Sequence, residues 1–313
     1  MPLRALIAAL VLAVSYGQAL ATDPVGYGEA FDTLYRVDLA THTAQEIGRA
    51  TPLGSPRLAN VEGLTFSPDG KLYAVSDADT LKTLLSIDPI TGLATPIAML
   101  NLAGQNVNGQ LDLGLAFTCD GKLWLSSGTG MFWQVNNPST GTTTYIGNLG
   151  VKITGLTAQG NVLYGTGSQG DNHLYQIDPL TAKTTLIGAY GPAANYITTT
   201  SPGFDASGQL WAILDYVPPP SGSEVAPWSD LVQIETGSAT LANLGSITAP
   251  QSSQSAADLE FIGLKGLAIA PSVCATTGSV ASTPALSWRA MAALIALLML
   301  FAGTRLRRCR QTF

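Results

Sequence analysis

A short strand-like segment recurs five times along this 313-residue chain, and no other feature restricts its fold so strongly. The copies are Leu34-Tyr35-Arg36-Val37-Asp38, Leu84-Leu85-Ser86-Ile87-Asp88, Phe132-Trp133-Gln134-Val135-Asn136, Leu174-Tyr175-Gln176-Ile177-Asp178 and Leu231-Val232-Gln233-Ile234-Glu235. They start 50, 48, 42 and 57 residues apart. Each ends in an acid or its amide. Self-similarity at a period of roughly 40–50 residues marks an architecture in which one supersecondary unit is repeated.

The residues around each copy complete the unit. Asp88-Pro89-Ile90-Thr91-Gly92 is a turn: Asp bonds nearby backbone, Pro fixes φ, and Gly takes the left-handed position. Asp178-Pro179-Leu180-Thr181 repeats it. The strands after these turns close on Ile-Gly, as in Thr143 to Gly147 and Thr184 to Gly188. A second hairpin lies upstream. Gly63-Leu64-Thr65-Phe66 passes through Ser67-Pro68-Asp69-Gly70 into Leu72-Tyr73-Ala74-Val75, with counterparts ending in Leu123-Trp124, Leu163-Tyr164 and Leu210-Trp211. Each unit is therefore four strands, which predicts an all-β chain folded as a β-propeller. Complete blades are expected over 62–100, 112–150, 153–188 and 202–247. The N-terminus supplies only later strands, near 25–48, and 266–270 supplies one leftover first strand. Joined, they make a fifth blade closed by both termini, which pairs edges otherwise left open; the alternative is a flatter or six-bladed arrangement with strands hidden in one loop.

The ends carry sorting information. Arg4, the apolar run Leu6 to Val14 and Ala19-Leu20-Ala21 have the layout of a signal peptide over 1–21. A linker is expected at 276–283 and a sorting signal at 284–313, with the propeller between, over 22–275. The signal combines Pro284-Ala285-Leu286-Ser287, an apolar stretch from Ala290 to Gly303 expected to form a hydrophobic helix, and Arg305, Arg307, Arg308 and Arg310. Basic residues beyond the stretch place the tail inside and the main domain outside. Residues 283–310 resemble the IPTL-CTERM sorting domains, relatives of the PEP-CTERM signals. Here Thr283 and Ala285 replace that family's Ile and Thr, and Trp288 follows Ser287 directly. The resemblance implies a bacterial envelope protein, anchored in the inner membrane or passed to the surface, with an exosortase-type protease as partner.

Between residues 22 and 283, nine Lys and Arg face 21 Asp and Glu, a net charge of −12. Such a surface argues against nucleic acid. Cys119 and Cys274 fall in the exported part and form a candidate disulfide, whereas Cys309 lies in the basic tail.

Catalytic constellations are sparse. His42 sits in a turn and His173 at a strand start, with no nucleophile beside either. Gly165-Thr166-Gly167-Ser168-Gln169-Gly170 matches G-x-G-x-x-G but lies between strands, without the helix a dinucleotide site needs, and reads as a loop. The longer connections gather on one face, where Tyr190, Tyr196, Tyr216 and Trp228 are candidate contacts for an unknown protein or glycan. Glu62 and Asp112 precede inner strands at the mouth of the axis. With Asp258 and Glu260 they form a candidate calcium set, and Asp77 and Asp79 lie in a loop on the same face. Glu62-Gly63-Leu64 through Tyr73 looks like the first blade of gluconolactonase-type hydrolases, whose glutamate there binds a metal. Thr154 and Lys265 do not continue that pattern. The expectation is a non-enzymatic binding or structural propeller without a cofactor. The alternative is a calcium-dependent lactonase or esterase.

Overall fold

Turn chemistry at each corner sets the order of elements. The described residues form strands β1 (Val25–Ala30), β2 (Thr33–Asp38), β3 (Thr43–Arg49), β4 (Val61–Phe66), β5 (Leu72–Asp77), β6 (Lys82–Ile87) and β7 (Ala94–Met99). They continue through β8 (Leu113–Phe117), β9 (Leu123–Ser127), β10 (Met131–Asn137), β11 (Thr142–Asn148), β12 (Ile153–Gln159), β13 (Val162–Gly167), β14 (His173–Asp178) and β15 (Lys183–Ala189). The last are β16 (Ile197–Phe204), β17 (Leu210–Tyr216), β18 (Ser229–Ile234), β19 (Leu241–Ser246) and β20 (Lys265–Ala270). This computed structural model describes residues 23–30, 32–51, 58, 60–77, 82–103, 109–167, 170–191, 197–216, 229–249 and 263–274. The expected signal peptide, linker, hydrophobic helix and sorting signal lie outside them, as do Asp79, Tyr196, Trp228, Asp258 and Glu260. Among the described residues no helix is long and apolar enough to cross a membrane.

Five antiparallel four-stranded sheets result: blade I (β4–β7), blade II (β8–β11), blade III (β12–β15), blade IV (β16–β19) and blade V, ordered β20-β1-β2-β3. Inner strands β4, β8, β12, β16 and β20 lie side by side in a closed circuit, making a five-bladed propeller. Val25 pairs with Ala270 and Gly26 with Ile269, so the two ends of the domain share blade V. One blade is longer than its sequence pattern indicated. β16 begins at Ile197 rather than near 202, because Ile197 and Thr199 pair with Tyr216 and Asp215.

The core is split into five wedges, one at each junction between blades. Leu72, Leu123, Leu163 and Leu210 are all fully buried. In three blades an aromatic residue on the second strand reaches the neighbouring inner strand. Tyr27 meets Phe66 edge-on at 5.6 Å, Tyr73 meets Phe117 at 5.1 Å, and Tyr164 meets Phe204 at 5.3 Å. The two tryptophans serve otherwise: Trp124 stacks on Phe132 of its own blade at 5.5 Å, and Trp211 donates to Asp205 at 2.8 Å.

The Ile-Gly endings have a second use. Gly48 of β3 lies against Thr91 and Gly92, and Gly188 of β15 lies against Ser238 and Ala239. A Cβ at Gly48 would sit 2.2 Å from the Thr91 carbonyl oxygen. The outermost strand of one blade thus seats the turn of the next. The turn acids hold those corners. Asp88 accepts the Ile90 N–H at 2.9 Å and the Thr91 hydroxyl at 2.9 Å, which holds its carboxyl below the usual range.

At the base, residues 271–274 leave β20 and cross the axis. Ser272 bridges to Asp205 of blade IV, and Cys274 is bonded to Cys119 in the β8–β9 turn of blade II. Their Cα atoms are 4.9 Å apart. Blade II does not adjoin blade V, so this bond spans the ring.

Candidate functional site

The upper ends of the inner strands meet at the axis. Four of the five carry glycine at the same step: Gly63, Gly114, Gly155 and Gly266, with Ser201 in blade IV. These small residues let the strands approach closely. A Cβ on Gly155 would lie 2.1 Å from the Thr200 carbonyl oxygen, and one on Gly114 would lie 2.6 Å from Ser126 Oγ. At Ser201 the hydroxyl instead accepts the Gly266 N–H at 2.9 Å. One step deeper, Leu64, Leu115, Leu156 and Leu267 are buried. Leu64, Leu156 and Leu267 border both the upper recess and a lower one beneath it, so they divide the axis in two. What remains above is a small cup of about 30 Å³.

Each blade contributes a polar group to the cup: Glu62, Asp112, Thr154, Thr199 and Lys265. Lys265 Nζ lies 2.9 Å from Glu62 Oε1 and 3.3 Å from Asn60 Oδ1. Glu62 also accepts the Leu113 N–H at 2.9 Å. Burial raises the Glu62 carboxyl above its usual range, and the Lys265 ammonium opposes that. For Lys265, burial acts downward, but the charge and hydrogen bond of Glu62 together with the charges of Asp112 and Asp215 outweigh it, so the ammonium is held.

Two buried aspartates clamp strand starts beside the cup. Asp77 closes β5, pairs with the Lys82 ammonium, and accepts the N–H groups of Leu111 and Asp112 at 2.6 and 2.9 Å. It therefore pins the start of blade II. Asp215 occupies the equivalent place in β17. It accepts the Ser229 hydroxyl at 2.5 Å, and that hydroxyl accepts the Leu264 N–H at 2.8 Å, pinning the closing strand. Serine replaces lysine in this second clamp. Burial then pushes the Asp215 carboxyl up to about 7, against hydrogen bonds from Ser229 and Thr199 and the more distant Lys265.

The structure revises several expected sites. Tyr190 is not an exposed contact: it is 4% exposed and packs with Leu174, Ile197 and Phe204 between blades III and IV. Tyr216 is half-buried and donates to Asp230 at 3.0 Å. Gly165 and Gly167 are strand residues, not loop. Ile153 and Ile177 crowd Gly165, and Asp171 crowds Gly167. In the candidate calcium set Glu62 already holds an ammonium and Asp112 is exposed, and Asp77, outside that set, is bound to Lys82. Among the described residues no three of His, Cys, Asp and Glu converge as a metal site. His42 remains in its turn, and His173 Nδ1 lies 2.6 Å from Asp171 Oδ1. The Lys265–Glu62 pair and the Asp215 clamp were not foreseen. The equal spacing of Leu72 to Asp77 and Leu210 to Asp215 was the available signal for the clamp.

No protein-family model and no curated protein matches this chain. Similar solved structures include a nidogen/laminin complex, at 13% identity over 79% of this chain and 98% of the other, with a TM-score of 0.49. TolB from Acinetobacter baumannii is 16% identical over 77% of this chain and 58% of that protein, with a TM-score of 0.42. A streptogramin B lyase is 16% identical over 72% and 70%, with a TM-score of 0.40.

Proposed function

We propose that this protein is an exported bacterial envelope propeller, anchored in the inner membrane or passed to the surface through residues 284–313, that binds a ligand in the cup at its axis. The Cys119–Cys274 bond carries the export part of this reading, because such bonds persist in oxidising compartments. An exosortase-type protease is the proposed partner for the tail. The polar groups that the five blades bring to the cup support the binding part: Glu62, Asp112, Thr154, Thr199 and Lys265 all line it. The calcium-dependent hydrolase is disfavoured by Lys265, whose ammonium already sits on Glu62.

Fractionation of a bacterial host expressing the full chain tests the sorting. The protein is expected in the envelope or medium with Cys119 and Cys274 oxidised. Deleting 283–313 should release it to the periplasm or medium. Recovery of the full chain in the cytoplasm, with both thiols reactive, would refute the proposal.

A further inference from the structure

The base of the propeller is tied together across blades that share no sheet. We infer that this cross-tied base is where the propeller takes up tension from its C-terminal tail. The load passes through the Cys119–Cys274 bond into blade II, so that β20 and the strap 271–274 beneath the axis stay out of its path. This rests on the reading of residues 284–313 as an anchor and adds what the fold does with the anchor's pull.

The ties form a circuit under the axis. The Cys119 N–H of the β8–β9 turn donates to the Gly160 carbonyl oxygen of the β12–β13 turn at 2.9 Å, and the Asp120 N–H donates to Asn161 Oδ1 at 3.0 Å. Gln159 Nε2 of blade III donates to the Gly208 carbonyl oxygen of the β16–β17 turn at 3.3 Å. Asp205, at the head of that turn, bridges to Ser272 of the strap. Cys274 then closes the circuit at Cys119. Blades II, III and IV and the end of blade V are thereby held to one another where the chain runs on past Cys274.

The closing strand needs such a tie. β20 lies at the edge of its sheet, with β1 as its ladder partner. The chain leaves β20 at Ala270, whose partner Val25 makes the terminal pair of that ladder. Tension applied just after Ala270 would reach that pair first, and the ladder would open one pair after another. Elements at the ends of a chain already open at lower free energy than the core. Losing β20 would also open the ring, because it packs between β16 and β4. The bond sends the tension elsewhere. It enters at a turn between two paired strands and runs along β8 and β9 together. Pulled lengthwise, the four pairs of β9 with β10, from Leu123 to Ser126, resist at once. The Cys119 and Asp120 hydrogen bonds pass part of the load to blade III.

Optical-tweezers pulling on the purified, oxidised full chain tests this. One handle is attached at the C-terminus and the other at an azido residue replacing exposed Ile90 in the β6–β7 turn. After reduction with a phosphine, the same molecule should show an added early step of about 35 Å, the length of residues 265–274 drawn out. Cys119→Ser with Cys274→Ser should show the step without reductant. Moving the first handle from the C-terminus to an azido residue at exposed Leu180 should abolish the step in every form, because tension then bypasses the tail. The inference is overturned if reduction adds no early step, or if the oxidised chain already shows it. It is also overturned if the step appears with handles at 90 and 180, which would mean general weakening in place of a load path. The readout is independent of sorting: a cytoplasmic chain in the fractionation would remove the anchor, while the pulling data alone decide the path.

Discussion

Removing the bond across the base gives a sharp measure of what holds the ring. The perturbation is Cys119→Ser with Cys274→Ser, which keeps the side chains small and polar. The bond closes a loop of 155 residues. In the chain-entropy description, a loop of that length lowers unfolded-state entropy by about 17 cal/mol/K, or about 5 kcal/mol at 25 °C. A domain of this size shifts by roughly 2–4 °C per kcal/mol, so the melting temperature should fall by about 10–20 °C. The assay is differential scanning calorimetry of the full chain: oxidised parent, parent reduced with a phosphine, and double variant. Reduction and substitution should give the same shift, because both free the same loop. A drop under about 3 °C in both would mean that closing this loop removes little entropy from the unfolded chain, and the loop account would fail.

Acidity should matter through Asp215. Its carboxyl is raised from 3.8 to about 7, so the folded chain holds this proton more tightly than the unfolded chain does. The resulting stability is full below about pH 4 and is lost as pH rises towards 7, on the order of 3–4 kcal/mol. Melting temperatures from pH 5 to pH 8 should therefore fall, and Asp215→Asn should flatten that slope; an unchanged slope would remove Asp215 as its source. Gly155→Ala should abolish folding or lower stability by more than 3 kcal/mol, on the order expected for overpacking against backbone, since its Cβ would lie 2.1 Å from Thr200 O. Gly170→Ala has open space and only a left-handed φ of 85° to accommodate, so about 1 kcal/mol is expected. Equal urea midpoints for the two would refute close packing at the axis. Lys265→Met should cost about 1–3 kcal/mol by stranding buried Glu62, the partly exposed ammonium being worth less than a buried one. Adding Glu62→Gln should recover most of that loss in denaturant melts, and no recovery would mean the pair is not coupled.

The blades were legible because their corners are local. Asp88-Pro89-Ile90-Thr91-Gly92 and Ser67-Pro68-Asp69-Gly70 specify their turns within five residues, and the five copies fix the count. The shared blade was legible too, since 25–48 lacks a first strand and 266–270 lacks its partners. The cup was not. Glu62 and Lys265 are about 200 residues apart in sequence and meet only because the ring closes. Tyr190 looked like an exposed loop aromatic, but its surroundings come from β14 and β16, which no local pattern brings together. The start of β16 was missed because Thr198-Thr199-Thr200 has no apolar alternation. The glycines at the axis were visible as strand starts, yet the crowding that requires them belongs to neighbouring blades.

The blade shared by the two ends also sets a clock on folding. Val25 leaves the ribosome first among the strand residues, yet its partner Ala270 is made roughly 245 residues later. At about 5–20 residues per second, β1 waits on the order of 10–50 s for β20. Until then blade V lacks its inner strand and the ring stays open on both sides. Pairings this distant in sequence form slowly, because loop closure precedes any gain from contact. The nascent chain therefore stays an incomplete ring for most of its synthesis. Its final compaction is timed by the last strand to emerge and not by the first four blades.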